Sequence, residues 1–554
     1  MPFDILIKNG CVVDGTGNPW FRADVGIESD EISVVGSVER SDARFVINAD
    51  GLVVAPGFID IHSHCDFVYP LKRHPAILEP KIRQGITTEV VGNCGFSPAP
   101  VNKATLHLVK SYTSFLSPQG LDWNWSSFGD YLDILNKQGV AMNVVPLVGH
   151  GAIRTAVMGL DARQATNEEL EQMKRLTGEA MEDGACGMST GLIYSPGQYA
   201  DTDELVELCK VVAKYGGIYT THYRGEGPTL ESAVKELIRI GEEAGIPVEQ
   251  SHHTATGRDH WSKIRKTVDM IEEARARGVD VTYDIIPYTS ANSTMLAVFP
   301  PWSLEGGVEK LIQRLNDPVT KKKIRRDIED TVPGWPPWLP GAWPHNLIGL
   351  IGWESASVVW CKSEKNKGLE GKTIPEIAKM RGVDPFDAVA QLVTEEKGDI
   401  LAFYVGFNGD QKNDEATRYL MKQRLASICT DSILIGEGKL GARDYGCFPR
   451  VLGHYVREER VIALEDAVRK MTSLPAQRVG LRDRGMIRQG AKADITIFDH
   501  ARIKDKDPLV DADPFPEGIE YVLINGKLVT EKGKYHGDLL AGQVIRRTTR
   551  GKWS

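Results

Sequence analysis

The stretch Val54–Asp66, VAPGFIDIHSHCD, carries an apolar run that ends in two closely spaced histidines. A short apolar run of this kind is typical of a buried strand in a parallel sheet. Side chains two residues apart on a strand point to the same side, so His62 and His64 would face one direction. We therefore predict a buried strand whose carboxyl end presents two imidazoles together.

Seven further runs along the chain resemble this strand. They are GITTEVVGN (85–93), AMNVVPLVG (141–149), ACGMSTG (185–191), GGIYTTH (216–222), IPVEQSH (246–252), VDVTYDI (279–285) and LASICTD (425–431). Helical patterns separate most of them, for example at 202–216 and 230–245. Eight strands with helical crossovers predict an α/β fold built on a TIM-like (β/α)8 barrel.

Both ends of the chain show alternating apolar residues instead. Strand-like runs lie at 3–15, 22–36 and 43–51, and again at 492–500 and 520–529. Asn9-Gly10 and Asn525-Gly526 are typical of hairpin turns. We predict that residues 1–55 and 480–554 form one small β-sandwich domain, and that residues 56–479 form the catalytic barrel.

One connection is too long for a simple barrel loop. About 140 residues separate the seventh and eighth predicted strands, and two parts of this connection, 299–307 and 332–346, are rich in proline and tryptophan. A structureless loop of that length is improbable in a compact domain. We predict an inserted lid subdomain at about 288–420, with the segment Phe299–Trp343 closing over the active face.

Composition narrows the classes of function. The net charge is -9 and no long basic run occurs, which argues against nucleic-acid and anionic-membrane partners. No apolar run of membrane-spanning length and no leader-type N-terminus is visible. The eight cysteines follow no paired spacing, which suits a reducing compartment. We expect a cytoplasmic protein with a small-molecule substrate. The sequence leaves undecided whether identical chains form a homo-oligomer.

The strand ends predict a metal site. His62 and His64 follow the first strand, Cys94 follows the second, and His222 and His252 close two consecutive strands. A lone histidine or cysteine is usually structural, but five such side chains at one rim of a barrel are a typical ligand set for zinc. We predict Zn²⁺ bound by these five residues.

Two further residues near these strand ends are assigned other roles. Asp431 ends the eighth strand opposite the histidines, so we predict that it is the catalytic general base and not a helix cap. His253 would point away from His252 on a strand, and we expect it to have a supporting or structural role.

The chain as a whole resembles the amidohydrolase superfamily, and most closely its D-aminoacylase (N-acyl-D-amino-acid deacylase) branch. Motifs across about residues 50 to 500 carry the resemblance: VVGNCGFSPAP (90–100), LDWNWSSFGDYLDIL (121–135), PLVGHGAIR (146–154), GMSTGLIYSPGQYADTDEL (187–205), THYRGEG (221–227), EQSHH (249–253), PYTSANSTM (287–295) and YGCFPRVLGHYVREE (445–459). It implies a metal-dependent hydrolase of amide rather than peptide bonds, most closely a deacylase of N-acyl-D-amino acids.

The resemblance also implies roles for single residues. It implies a tight zinc site at Cys94, His222 and His252, a second and weaker site at His62 and His64, and Asp431 as acid and base. It implies substrate contacts from four residues, Arg443, Tyr194, Tyr283 and Ser293. The sequence departs from the family pattern at Thr254, where relatives often carry lysine, at Gly441 and Ala442 before Arg443, and at Ser432. These departures leave the substrate open.

Two alternatives remain at this point. A hydantoinase-like or dihydroorotase-like enzyme would open a cyclic amide, and such relatives usually carry a metal-bridging lysine on the fourth strand. That strand reads ACGMSTG here and contains no lysine. An inactive binding protein would have lost metal ligands or the aspartate, whereas all six residues are present.

Overall fold

The computed structural model describes residues 3–39, 42–339, 341–508, 511 and 513–547. These residues form 21 strands, numbered along the chain: β1 Phe3–Val12, β2 Phe21–Glu28, β3 Glu31–Gly36, β4 Ala43–Asn48, β5 Val53–Pro56, β6 Phe58–Asp60, β7 Ile86–Val91, β8 Asn143–Pro146, β9 Val148–Gly149, β10 Gly187–Gly191, β11 Ile218–His222, β12 Val248–Gln250, β13 Val281–Ile285, β14 Ser290–Thr294, β15 Ala356–Cys361, β16 Ile400–Val405, β17 Ala426–Ile428, β18 Ile495–Phe498, β19 Ile519–Ile524, β20 Lys527–Glu531 and β21 Lys534–Tyr535.

The described α-helices, also numbered along the chain, are α1 His74–Ile77, α2 Glu79–Ile82, α3 Leu106–Tyr112, α4 Phe128–Gln138, α5 His150–Met158, α6 Asn167–Asp183, α7 Thr202–Lys214, α8 Leu230–Ala244, α9 Lys263–Ala276, α10 Val308–Asn316, α11 Pro318–Asp330, α12 Leu347–Ile351, α13 Ile374–Arg381, α14 Pro385–Glu396, α15 Glu415–Met421, α16 Ala442–Arg450, α17 Leu464–Met471 and α18 Ser473–Val479. Within the described residues, no helix is both long and apolar enough to cross a membrane.

The barrel strands occupy the positions that the sequence predicts. Parallel pairing joins β6, β7 and β8, and separately joins β9 through β13 to β17. The third barrel strand is divided at Leu147 into β8 and β9, and the Leu147 N–H donates to the Val91 carbonyl at 2.8 Å. A parallel bridge between Ser63 and Ser432 connects the first and eighth positions. The predicted (β/α)8 fold class is confirmed.

The crossover helices form where the apolar period is 3.6 residues. Helix α7 begins after Asp201, whose carboxylate accepts from the Glu204 N–H at 2.8 Å and so satisfies a free donor of the first turn. Helix α8 ends at Gly245, which adopts a left-handed conformation with φ of 63°. Both helices bury their leucine and valine face against the barrel.

The two ends of the chain build one nine-stranded sheet. Its strand order is β21-β20-β19-β18-β5-β1-β2-β3, and β4 pairs with the first half of β1. The sheet encloses a core of its own, which includes Ile7, Val25 and Ile495. The tail beyond β21 returns to the barrel, where Val544 pairs with Val144 of β8.

The two predicted hairpin turns have different outcomes. Asn525-Gly526 turns between β19 and β20 with φ values of 47° and 73°, as predicted. The prediction for Asn9-Gly10 is wrong, because both residues lie inside β1 at a bulge. Gly10 is needed there, since a Cβ at this position would lie 2.6 Å from Val54 Cγ2. Asn9 has a φ of 63°, and a bulge can use such a positive φ as readily as a turn does.

An inserted unit connects β13 to β17. It contains the antiparallel sheet β14-β16-β15 and helices α10 to α14 around a separate apolar core, which includes Leu311, Phe386 and Tyr404. Helix α13 begins with a capping box in which Thr373 and Glu376 exchange hydrogen bonds. This unit covers the carboxyl end of the barrel, where its residues complete the cavity described below.

Candidate metal centre

The six predicted ligand and catalytic residues converge at the carboxyl end of the barrel. His222 ends β11, and the others follow their strands: His62 and His64 after β6, Cys94 after β7, His252 after β12 and Asp431 after β17. Backbone bonds hold the first and eighth positions together, since the Asp431 N–H donates to the His62 carbonyl at 2.9 Å. All six side chains are buried or nearly so.

The ligand atoms form two groups that share Cys94. One group contains His62, His64, Cys94 and Asp431, and the other contains Cys94, His222 and His252; within each group the donor atoms lie within 4.8 Å of one another. Cys94 Sγ lies 3.9 Å from His222 Nδ1 and 3.8 Å from His252 Nε2. These separations are long for hydrogen bonds but close to the ~3.5 Å between two ligands of a tetrahedral zinc ion.

His62 and His64 meet at the carboxylate of Asp431. Their Nε2 atoms lie 3.4 Å and 3.1 Å from Asp431 Oδ1. His62 Nε2 also lies 3.3 Å from Sγ of Cys94, the residue that the two groups share. The strand itself ends at Asp60, and the two histidines converge from the turn beyond it.

Three of the six residues have a left-handed backbone. Cys94, His252 and Asp431 have φ values of 52°, 35° and 49°. Residues other than glycine rarely adopt this region, and such positions persist where the surrounding structure holds them. The turns after three different strands are therefore shaped to aim these side chains inward.

The electrostatics of the centre favour a bound cation. Burial raises the pKa of the Cys94 thiol to about 11, so the protein alone keeps it protonated. Burial would also raise the pKa of Asp431, but Arg443 and His64 hold it well below its usual range. Burial lowers the pKa of His252 to about 4, which leaves its imidazole neutral. Burial lowers the pKa of His64 and His222 as well; it also acts on His62, but Cys94 and Asp284 raise the pKa of that imidazole well above its usual range. Three neutral imidazoles, a carboxylate and a thiol that a metal ion can deprotonate form a donor set suited to zinc.

Two further carboxylates contact the ligands. Glu226 Oε1 lies 3.4 Å from His222 Nε2 and 3.8 Å from His252 Nδ1. Asp284, on β13, accepts from the His252 N–H at 2.7 Å and lies 3.6 Å from His62 Nδ1. Carboxylates behind metal-binding histidines fix the orientation and tautomer of the rings.

A cavity opens above these ligands. Residues of both the barrel and the inserted unit line it. The polar ones other than the six residues of the centre are Tyr194, Glu226, Thr254, Tyr288, Ser290, Asn292, Ser293, His345, Tyr404 and Asn408. Tyr194 and Ser293 lie on its wall and hydrogen-bond to each other at 3.0 Å. Among its lining residues no lysine or arginine occurs.

A family model described as the amidohydrolase family matches residues 46–332 and 353–530. The chain is 35% identical over 547 residues to a D-aminoacylase of Alcaligenes xylosoxydans xylosoxydans, which covers 99% of this chain and 98% of the relative. The chain belongs to the amidohydrolase family, in its D-aminoacylase branch. An N-acyl-D-glutamate deacylase of the same organism is 34% identical over 523 residues, or 94% of this chain and 93% of that relative.

A solved structure of a protein from Bordetella bronchiseptica resembles nearly the whole chain. That protein is an N-acyl-D-glutamate deacylase complexed with zinc and a phosphonate inhibitor described as a mimic of the tetrahedral intermediate. The two structures share a TM-score of 0.78 at 30% identity, over 99% of this chain and 100% of that one.

Two of the expected substrate contacts in this amidohydrolase are not on the cavity wall. Tyr283 lies on the face of β13 opposite Asp284, and its ring is 4.9 Å from that of His253. Alternation along the strand makes this unavoidable, because Asp284 takes the inward position. Arg443 is 1% exposed, its Nη atoms lie 3.5 Å from Asp431 Oδ2, and it donates to the Asp431 carbonyl. It lies behind the aspartate.

Sequence reasoning missed several residues that this amidohydrolase brings to the site. Glu226 lies four residues after His222 in THYRGEG, and Asp284 is the carboxylate at the penultimate position of the predicted seventh strand, so both had a local signal. Tyr288, His345 and Asn408 had none, because the fold of the inserted unit brings them together although Tyr288 and Asn408 are 120 residues apart in sequence. His253 agrees with its expected supporting role, since its Nε2 is 2.8 Å from Thr267 Oγ1.

Proposed function

We propose that this amidohydrolase is a zinc-dependent deacylase that hydrolyses the amide bond of an N-acyl-D-amino acid. The observation that carries the proposal is the pair of overlapping donor groups, with Asp431 in contact with His62 and His64. Zinc would bind Cys94, His222 and His252 most tightly, and His62 and His64 would hold a second ion more weakly. The names of the two relatives above support the substrate class.

Asp431 performs the proton transfers of this reaction. A metal ion held by these ligands would lower the pKa of water and polarise the amide carbonyl. Asp431 is ionised at neutral pH because Arg443 and His64 lower its pKa, so it can accept the proton of the attacking water. It then donates that proton to the leaving nitrogen. The carbonyl carbon gains the C–O bond as the C–N bond breaks, which gives a carboxylate and a free amine.

The cavity wall positions the substrate. Tyr194 O–H and Ser293 O–H can donate to the substrate carbonyl or carboxylate from the same side of the cavity. Arg443 lies behind Asp431 and not on the cavity wall, and it is our candidate for the substrate carboxylate because its Nε has no hydrogen-bond partner among the described residues. Its contact with both the carbonyl and the carboxylate of Asp431 also makes it a positioning residue for the base.

A hydrolysis screen with zinc-loaded protein tests the proposal. The panel contains N-acetyl-D- and N-acetyl-L-amino acids, hydantoins and simple amides, with amine release as the readout. We expect the D series to be cleaved, and Asp431→Asn to retain zinc while turnover falls about 10²–10⁴-fold. Cleavage of hydantoins alone would favour the cyclic-amide alternative, and zinc binding without any turnover would favour the inactive-binding alternative.

A further inference from the structure

Glu226 is a buried carboxylate on the wall of the metal cavity that the proposed reaction does not use. It is 2% exposed and lies in the loop that follows β11. Thr256, in the loop after β12, holds it twice, because its O–H donates to Glu226 Oε2 at 2.7 Å and its N–H donates to the Glu226 carbonyl at 2.8 Å. With Oε2 bound in this way, Oε1 is the oxygen that faces the metal ligands.

The group of Cys94, His222 and His252, which we call the first site, has this carboxylate behind both of its histidines. His222 Nδ1 and His252 Nε2 lie 3.9 Å and 3.8 Å from Cys94 Sγ, on the side where an ion would bind. The opposite nitrogens face one oxygen, since His222 Nε2 lies 3.4 Å and His252 Nδ1 lies 3.8 Å from Glu226 Oε1. A neutral imidazole that binds a metal ion through one nitrogen carries its proton on the other. Glu226 therefore lies where the N–H groups of both rings would point.

The group that contains His62 and His64, which we call the second site, has no comparable carboxylate behind its histidines. Among the described residues, Asp431 is the one carboxylate paired with His64, and it faces Nε2; His64 Nδ1 is buried without a hydrogen-bond partner there. His62 Nδ1 lies 3.6 Å from Asp284 Oδ1, but that oxygen already accepts a hydrogen bond from the His252 N–H at 2.7 Å. The two sites therefore differ in what lies behind their imidazoles.

We propose that Glu226 is the positioning residue that makes the first site bind zinc more tightly than the second. A carboxylate behind a metal-bound imidazole fixes the tautomer and the orientation of the ring and raises its basicity. One carboxylate that faces two rings supplies these effects to both histidines of the first site, whereas His64 receives none of them. This inference rests on the zinc binding of the proposed function, and it names the residue that sets the order in which the two sites fill.

Competition between zinc-loaded protein and a chelator tests the proposal without turnover. The wild type should release its zinc in two steps, and each step gives one dissociation constant. Glu226→Ala should weaken the tighter step about 10–100-fold, the usual effect of removing such a carboxylate, and leave the other step unchanged. Glu226→Gln keeps an oxygen that can accept from the histidines but removes the charge, so its loss should be smaller. An unchanged tighter step in both variants would overturn the proposal.

A variant of His64 assigns the affected step to one site. His64→Ala removes a ligand of the second site alone, so we expect it to leave one zinc ion bound at the first site. In that background Glu226→Ala should again weaken the remaining ion about 10–100-fold. An effect of Glu226→Ala that disappears in the His64→Ala background would mean that Glu226 acts on the second site, which contradicts the proposal.

Glu396→Gln is the matched control for the loss of a buried carboxylate. Glu396 is also 2% exposed, but it lies on α14 of the inserted unit, where it accepts from the Ser363 N–H at 2.8 Å. Both zinc steps should be unchanged in this variant. In protein loaded with Co²⁺ instead of zinc, the visible absorption of the ion at the first site should shift in Glu226→Gln and not in Glu396→Gln. Equal effects of the two substitutions would overturn the proposal.

The zinc measurements and the hydrolysis screen fail independently of each other. Two zinc steps in the wild type that are both insensitive to Glu226 would refute the role of this residue and leave the deacylase function to the screen. A weaker first site in the Glu226 variants supports the proposal whether or not an N-acyl-D-amino acid is cleaved. Wild-type protein that binds no zinc would overturn both the proposed function and the role of Glu226.

Discussion

Two clusters of buried charged side chains lie side by side at the first and eighth barrel strands. The metal cluster consists of His62, His64, Cys94, His222, His252 and Asp431. The lysine cluster consists of Asp60, Ser63, Lys81, Glu89 and Thr430, all of them fully buried. The chain itself connects them, because Asp60 precedes His62 by two residues and Thr430 precedes Asp431.

The contacts inside the two clusters differ in length. Lys81 Nζ donates to Thr430 Oγ1 at 2.7 Å and Ser63 Oγ at 3.0 Å, and also to the Asp60 carboxylate. In the metal cluster the contacts of Cys94 Sγ and the Asp431 carboxylate with the histidines run from 3.1 to 3.9 Å. A buried ion pair that satisfies its own donors needs no ligand, whereas donor atoms held slightly too far apart leave room for an ion between them.

Breaking the metal cluster at its shared ligand should have the largest effect. We expect Cys94→Ala to lower bound zinc and turnover together, by at least about a hundredfold in turnover, because the thiolate belongs to both donor groups. Metal content by atomic emission and amine release check this. Cys209→Ala is the control, since Cys209 is equally buried on α7 away from the site. Full zinc and full turnover in Cys94→Ala would make Cys94 an ordinary core residue.

Removing the charge of the lysine cluster should affect stability instead. Lys81→Met leaves the carboxylates of Asp60 and Glu89 buried without their cation, which typically costs about 3–5 kcal/mol. Chemical denaturation measures this loss, with the exposed Lys412→Met as control. Zinc content per folded molecule should stay the same, because Lys81 supplies no metal ligand. Loss of zinc with an unchanged free energy of unfolding would join the two clusters into one functional unit.

The outcome of the sequence analysis differs between the two clusters for a physical reason. The metal ligands could be predicted because each ends or follows a barrel strand, and the carboxyl ends of parallel strands must meet. Lys81 lies on a helix, α2, and nothing in its local pattern shows that its amine reaches across to Thr430. Motifs did not predict the positions of Tyr283 and Arg443 either. Tertiary contacts decide which face of β13 turns toward the cavity and which carboxylate a guanidinium pairs with.

For the inserted unit, too, the sequence predicts only part of the structure. Its existence follows from the length of the connection between the seventh and eighth strands, but its contribution to the cavity does not. The proline- and tryptophan-rich segment was expected to close over the substrate, yet His345, Leu347 and Phe407 provide the wall of the metal cavity. The pairing of β14 with β16, about 110 residues apart in sequence, brings these loops together.

A variant of His345 tests whether a buried histidine near the metal cluster is also a metal ligand. It is 3% exposed on the cavity wall, and its Nδ1 has no hydrogen-bond partner among the described residues, yet it lies outside both donor groups. Burial lowers its pKa to about 4. The folded protein therefore keeps His345 neutral, whereas the unfolded chain binds a proton below about pH 6.5. Stability is lost as pH falls from about 6.5 to about 4, by at most about 3 kcal/mol for this residue.

We expect His345→Gln to reduce this loss of stability at acid pH, the acid limb, in denaturation curves measured between pH 7 and pH 4. Zinc content at neutral pH should be unchanged, and the exposed His107→Gln serves as the control that leaves the limb as it is. A His345→Gln protein that lost zinc while keeping the full acid limb would place His345 among the metal ligands.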